Sequence, residues 1–314
     1  MSYVFARELT IQANVRLIAG SQLRDALRDI DDPELDVHAT IHEVRKTCKK
    51  VRALLRLVRL VAEDLYGREN AAIRNSARRI SEPRDLTANL ESVDLLEDRF
   101  GSVLGREIFA RLRSALEARR TARSHDLALD ERVATVREEL ASTLERTDEW
   151  VVPDDGFDAL AGGLGKTYGR AVRRMREAFS KPSSETWHEW RKRVKYHRYH
   201  TDLLEDIWEA VLDEREAQLH DLTDLLGDDN DLSELRVVLH DEPEWLDDED
   251  AAVVLVALID RLRAELQERT RPVARRVFAE SPDKLVARYR SYWDAWQAEP
   301  EHVERADPVI EPGR

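Results

Sequence analysis

The chain has 314 residues, enough for about two domains of ~150 residues each, and its 50 Lys+Arg against 64 Asp+Glu leave a formal charge of −14. That overall sign argues against a general nucleic-acid coat protein. A single cysteine, Cys48, excludes an internal disulfide and every multi-cysteine metal pattern. Arg7 and Glu8 interrupt the N-terminus where a secretory leader needs an apolar run, and no segment approaches ~18 consecutive apolar residues. A cytoplasmic protein without a membrane span is expected.

Abundant Ala, Leu, Arg and Glu, apolar residues at helical spacing and short β-branched runs predict an all-α fold. In chain order, the pattern predicts a helix over 5–30, then one over 34–65 opened by Asp32-Pro33 as N-cap and first helical residue. A third helix is expected over 68–80 with a short continuation past Pro83, and a long fourth over 102–147. Trp150 to Gly156 reads as a link. Beyond it, helices are expected over 157–180, 184–211, 213–240 and 249–280, with Lys181-Pro182-Ser183-Ser184 stopping one and capping the next. The acidic segment Asp241 to Asp250 reads as a solvated turn, Pro272 should break or kink its helix near Arg271, and Ser281-Pro282 should open another. Residues 297–314 read as a flexible tail.

The chain repeats itself. His42-Glu43-Val44-Arg45-Lys46-Thr47-Cys48-Lys49-Lys50-Val51-Arg52 returns as His188-Glu189-Trp190-Arg191-Lys192-Arg193-Val194-Lys195-Tyr196-His197-Arg198, so His, Glu, Arg, Lys, Lys and Arg recur at an offset of 146 (188 − 42). Arg84-Asp85-Leu86 returns as Asn230-Asp231-Leu232 at the same offset (231 − 85). Two halves follow, 1–150 and 151–296.

Each half carries one cationic helix. At about 100° per residue, Arg45, Lys46, Lys49 and Arg56 fall near His42, with Arg52 and Arg59 on the flank, while Val44, Cys48, Val51, Leu55 and Val58 face the other way. The second copy places His188, Arg191, Lys192, Lys195 and Tyr199 on the stripe, Arg198 on its flank, and Trp190, Val194 and Leu204 behind. A solvated face normally mixes signs, yet no acid occurs between 44 and 59. Lysine is otherwise scarce, since Lys46, Lys49, Lys50, Lys192 and Lys195 leave only Lys166, Lys181 and Lys284 elsewhere. A row of donors suits a polymer of phosphates better than one carboxylate or phosphate. Single-stranded nucleic acid would also want aromatic platforms, and only Tyr199 lies on a stripe, so nucleic acid is the weaker partner.

The pattern His-x-x-Arg-x-x-x-Lys-x-x-Arg in both copies, followed by Arg84-Asp85-Leu86 in one and by Leu226-Gly227 with Asn230-Asp231 in the other, resembles the CHAD family, the conserved histidine α-helical domain. The resemblance spans roughly residues 5–290. It implies two tandem pseudo-symmetric four-helix bundles forming one domain around a basic central cavity, and binding of inorganic polyphosphate. His42, Arg45, Lys49 and Arg52 match the first motif, and His188, Arg191, Lys195, Arg198 and Tyr199 the second; Lys46, Arg56 and Lys192 come from helical geometry. Glu82 stands where the first copy would often show Gly. Some family members are fused to a triphosphate tunnel domain with alternating Glu-x-Glu-x-Lys, a pattern missing from this sequence.

A binding module is therefore expected rather than an enzyme, with no cofactor and no metal, placed at polyphosphate granules and alongside polyphosphate-associated proteins. An enzyme acting on a phosphorylated polymer is the alternative. His42-Glu43 and His188-Glu189 open like the zincin His-Glu-x-x-His, but Lys46 and Lys192 occupy the fifth position. Glu185-x-x-His188 resembles half of a di-iron ligand set, but Ala39 stands opposite Glu185. His197 and His200 read as packing or surface residues, and Arg84-Asp85 and Asn230-Asp231 as capping or inter-helix bonds rather than catalytic acids. By position, Arg24, Lys166, Arg170 and Arg173 are further candidates for the cavity.

Overall fold

The computed structural model describes residues 3–81, 86–124, 127–242, 245–246 and 249–300, and the described residues are all-α, without strands. Eleven α-helices follow in order: α1 Ile11–Asp31, α2 Val37–Leu57, α3 Glu63–Arg79, α4 Leu86–Leu104, α5 Arg106–Ser124, α6 Leu127–Arg146, α7 Asp158–Ser180, α8 Ser184–Leu203, α9 Glu209–Asp241, α10 Glu249–Val277 and α11 Pro282–Ala298. The expected tail falls largely on residues 301–314, which lie outside the described residues, as do Glu82 and Arg84-Asp85.

Helices α1, α2, α3 and α6 close into a ring. Their core runs on without a break into α7, α8, the start of α9, the end of α10 and α11. A second core joins α4 and α5 to the C-terminal half of α9 and the N-terminal half of α10, through residues such as Val93, Phe109, Leu235 and Ile259. The two halves of the chain thus share both cores. The first meeting is the tighter, because α7 crosses the end of α2 at Gly163, where a side chain would have no room.

Several boundaries differ from expectation for local physical reasons. The first helix starts at Ile11, since residues 3–9 are taken up in tertiary contacts. Phe5 is buried and its N–H donates to the Leu203 carbonyl (3.0 Å), and the buried Asn14 side chain bonds Ala6 N–H (2.7 Å) and the Ala6 and Leu9 carbonyls. Asp36, not Asp32, caps α2, accepting from His38 N–H, and α2 ends at Leu57 in a turn rather than reaching 65. The long fourth helix is divided: α4 stops at Leu104 before Gly105, whose φ of +80° glycine adopts without strain, and α5 and α6 then pack on different partners. The helix expected over 184–211 ends at Leu203, ahead of a short 3-10 turn.

Other readings hold or are refined. Ser183 forms a capping box with Thr186, and Ser281 caps α11 with Pro282 in its first turn. Pro272 does not break α10, which continues to Val277. A proline inside a helix costs about 3 kcal/mol, and here Ala274, Val277 and Phe278 beyond it are buried in the first core, which offsets that loss. The acidic segment is not simply solvated: Leu246 is buried in the second core, and Trp245 lies under the Arg119 guanidinium, which also pairs with Glu242 (2.8 Å). The link is pinned as well, with Trp150 buried and its carbonyl held by Arg16 (2.8 Å), and with Asp155 accepting from Ile11 N–H (2.8 Å).

Candidate functional site

Helix α2 is divided lengthwise. Val44, Cys48, Val51, Leu54 and Leu55 are fully buried on one side, and this burial fixes the roll of the helix. Arg45, Lys49, Arg52 and Arg56 consequently line a half-open cavity of about 330 Å³, walled also by Arg74 and Arg78 of α3 and by Lys192, Arg193 and Tyr196 of α8. Among the described residues the lining contains no carboxylate. Clustered like charges in a recess bounded by protein raise the local positive potential well above that over a flat surface. In a chain of charge −14, this recess stands apart from its background.

The inner end of the cavity is closely packed. Arg56 is only 7% exposed, its guanidinium lies 3.9 Å from the centre of the Tyr196 ring, and it donates to the Arg52 carbonyl (2.8 Å). Burial pulls its pKa below the usual arginine value. Arg52 donates to the Asn70 side chain (3.1 Å), which holds it against α3. Cys48 borders the cavity as a neutral thiol, because burial pushes it up to about 12 despite the nearby Arg52, Lys49 and Arg45.

The second stripe is arranged differently and faces α9. Burial, reinforced by the charges of Arg191 and Lys49, brings the Lys195 amine down to about 7, with Asp231 opposing. Arg191 lies over Gly227, where a side chain would stand 3.6 Å from its Nη2, and its buried Nε has no partner among the described residues. His188 Nδ1–H donates to Asn230 Oδ1, and Asn230 Nδ2 donates in turn to Asp231 Oδ1 (2.9 Å). The Leu226-Gly227 and Asn230-Asp231 motif thus seats the side chains of the second His-helix.

The predicted site residues divide accordingly. Arg45, Lys49, Arg52, Arg56 and Lys192 meet at the cavity, and Lys195 stands beside Lys49. His42 is exposed and outside the lining, and Lys46 pairs with Glu43 (3.1 Å) as Lys192 does with Glu189. The glutamates of the zincin-like openings are therefore engaged by the lysines that replaced the second histidine. Arg198 is tied to Glu216 (2.5 Å) and Tyr199 packs edge-on to Tyr3, its hydroxyl pushed up to about 12 by burial. Arg24 folds back over Gly20 of its own helix, Lys166 lies in a groove between α7 and α11, and Arg173 is exposed. Arg170 approaches Arg59. His200 donates to the Ala53 carbonyl (2.9 Å) and His197 accepts from Arg215 (3.3 Å); both are buried packing residues, with His200 drawn down to about 3 by burial.

Sequence reasoning missed Arg74, Arg78, Arg193 and Tyr196. The first two stand four apart on α3, a spacing that places them on one face. Arg193 and Tyr196 were hidden by the repeat itself, whose offset pairs them with Thr47 and Lys50. They line the cavity because α8 meets α2 with its flank.

Comparison with curated proteins returns no match. No helix among the described residues is long and apolar enough to cross a membrane. The model of the CHAD domain matches residues 21–240, from within α1 to the last turn of α9. With both His-helices, the cavity they border and the Gly227 and Asn230-Asp231 seat inside that span, the chain belongs to the CHAD domain family.

Proposed function

We propose that the protein binds inorganic polyphosphate, with the α2–α3–α8 cavity as the principal contact and Lys195 and Arg191 extending it toward α9. The observation that carries this reading is a lining to which both halves of the chain contribute cations and, among the described residues, no carboxylate. At about 30 Å³ per water, the cavity has room for roughly ten waters and so for only a few phosphate units; the rest of a long chain lies outside it. Aromatic stacking favours a polymer without bases: Arg56 already lies over the Tyr196 ring, and Tyr199 is engaged edge-to-face with Tyr3. The protein acts in this reading as a module that brings itself or its partners to polyphosphate granules, and not as an enzyme.

The test is titration with polyphosphate of wild type and an Arg45→Gln/Arg78→Gln double variant, with RNA of matched charge as competitor. Binding should weaken in the variant, and the slope of log K against log salt should fall by about two, one for each phosphate that the variant no longer neutralises. An unchanged slope moves the site elsewhere, and displacement by RNA at equal charge supports a nucleic-acid reading. Orthophosphate release with Mg²⁺ would mark an enzyme.

A further inference from the structure

One residue past the C-cap of α2, Arg59 is 4% exposed, and its buried Nε has no partner among the described residues. Its Nη2 donates to Thr167 Oγ1 on α7, at 3.4 Å, and the guanidinium also meets the Tyr66 hydroxyl of α3. The cations that act on it are two more guanidiniums, Arg170 on α7 and then Arg56 at the inner end of the cavity, with Tyr66 opposing them. None of the three has a carboxylate partner among the described residues. Glu189, on the adjoining α8, is already engaged by Lys192 and Arg193.

This arrangement is not incidental to the packing. Gly163, Thr167 and Arg170 recur at helical spacing on the one face of α7 that meets the end of α2. The fold thus directs three guanidiniums to one junction, two of them buried, and among the described residues supplies no counter-charge. A buried charge without a partner is strongly unfavourable, and the depression of Arg59 to about 10, by burial and then by Arg170, accords with that conflict. An arginine fork is matched geometrically by a tetrahedral oxyanion.

We propose that Arg56, Arg59 and Arg170 form a site for a single phosphate group at the junction of the two halves, inward of the cavity. The group is either free orthophosphate or the terminal unit of a chain entering past Arg56; the second source rests on the polyphosphate reading above.

The test uses the full chain at constant ionic strength in a phosphate-free chloride buffer, following thermal unfolding with added orthophosphate. At about 100 times the dissociation constant, the midpoint of wild type should rise by on the order of 5 °C. The Arg45→Gln/Arg78→Gln variant should rise equally, whereas Arg170→Gln should not respond. Arg59→Gln should behave as Arg170→Gln, and the half-buried Arg170 carries the test if the Arg59 variant does not fold. If orthophosphate has no effect but open-ended polyphosphate binds at least tenfold more tightly than end-blocked chains, with the difference abolished in Arg170→Gln, the site takes the terminal unit. An equal thermal response in Arg170→Gln overturns the proposal. So does the absence of any response together with equal affinity for open and blocked chains. Should orthophosphate stabilise a protein that ignores polyphosphate, the site stands and the polymer reading falls.

Discussion

Replacing Gly163 by alanine tests the close approach on which the site's geometry depends. A Cβ at this position would lie 1.8 Å from the Leu57 carbonyl oxygen, 2.4 Å from its carbon and 2.6 Å from the Arg56 carbonyl oxygen, all backbone atoms at the end of α2. Such contacts are not found below about 3.0 Å, so α7 and α2 must part by more than an ångström. No flexible side chain is available to yield. Overpacking a core costs about 1–3 kcal/mol when side chains can adjust, and a backbone collision belongs at or above the top of that range. Alanine gains about 1 kcal/mol in helix propensity over glycine. A net loss of about 2–4 kcal/mol is expected, read as a lower denaturation midpoint in urea at unchanged slope. Gly67→Ala is the matched control, because its Cβ meets nothing within 4 Å, and it should stabilise by about 0.5–1 kcal/mol. The displacement also shifts α2 relative to α8, so polyphosphate affinity should drop in the Gly163 variant even where it remains folded. A Gly163→Ala protein as stable as wild type refutes the crossing geometry.

Polyphosphate affinity should depend on pH through Lys195. Burial, Arg191 and Lys49 hold its amine at about 7 in the free protein, and an adjacent polyanion favours the ammonium form. Binding therefore takes up a proton above pH 7, and affinity should fall by up to about tenfold per pH unit as pH rises from there. The dependence should vanish in Lys195→Met; a pH-flat affinity in wild type refutes it. The same depression makes the unliganded fold more stable as pH rises from about 7 toward the unfolded lysine value of ~10.4, since the unfolded chain holds that proton more tightly. Glu69 supplies the opposite case. It is fully buried; burial alone would raise its carboxyl, but bonds from Arg146 (3.2 and 2.9 Å) and Arg68 (2.8 Å) outweigh it and hold the group below the usual range. Its stabilisation is present above the unfolded value of ~4.3 and is lost as pH falls through the folded one. Glu69→Gln should destabilise at neutral pH by about 1–3 kcal/mol and by progressively less as pH falls below 4, and equal destabilisation at pH 7 and pH 3 contradicts this account.

Much of the local structure was legible because local chemistry dictates it. The helical spacing of apolar residues, the Ser183 and Ser281 caps and the division of α2 into two faces each depend on residues within a few turns. The boundaries that escaped sequence reading are those settled by distant partners. Residues 3–9 could have joined α1, but Phe5 finds a carbonyl at the end of α8 and Asn14 folds the segment back. Pro272 should have ended a helix, but burial on its far side keeps α10 whole.

The site divides along the same line. The repeat and its histidine-headed cationic helices follow from the sequence by itself, and a run of cations without acids, unfavourable on any helix, is what motivates the proposal of an anionic ligand. Which of those cations converge was decided only in three dimensions. Glu43, Glu189 and Glu216 engage some of them, Gly163 lets α7 press against α2, and α8 presents Arg193 and Tyr196 to the cavity beside Lys192 of its predicted stripe. Helical periodicity fixes the angle between side chains on one helix. The roll and crossing of helices against each other are set by packing between residues more than a hundred positions apart, and no local pattern encodes them.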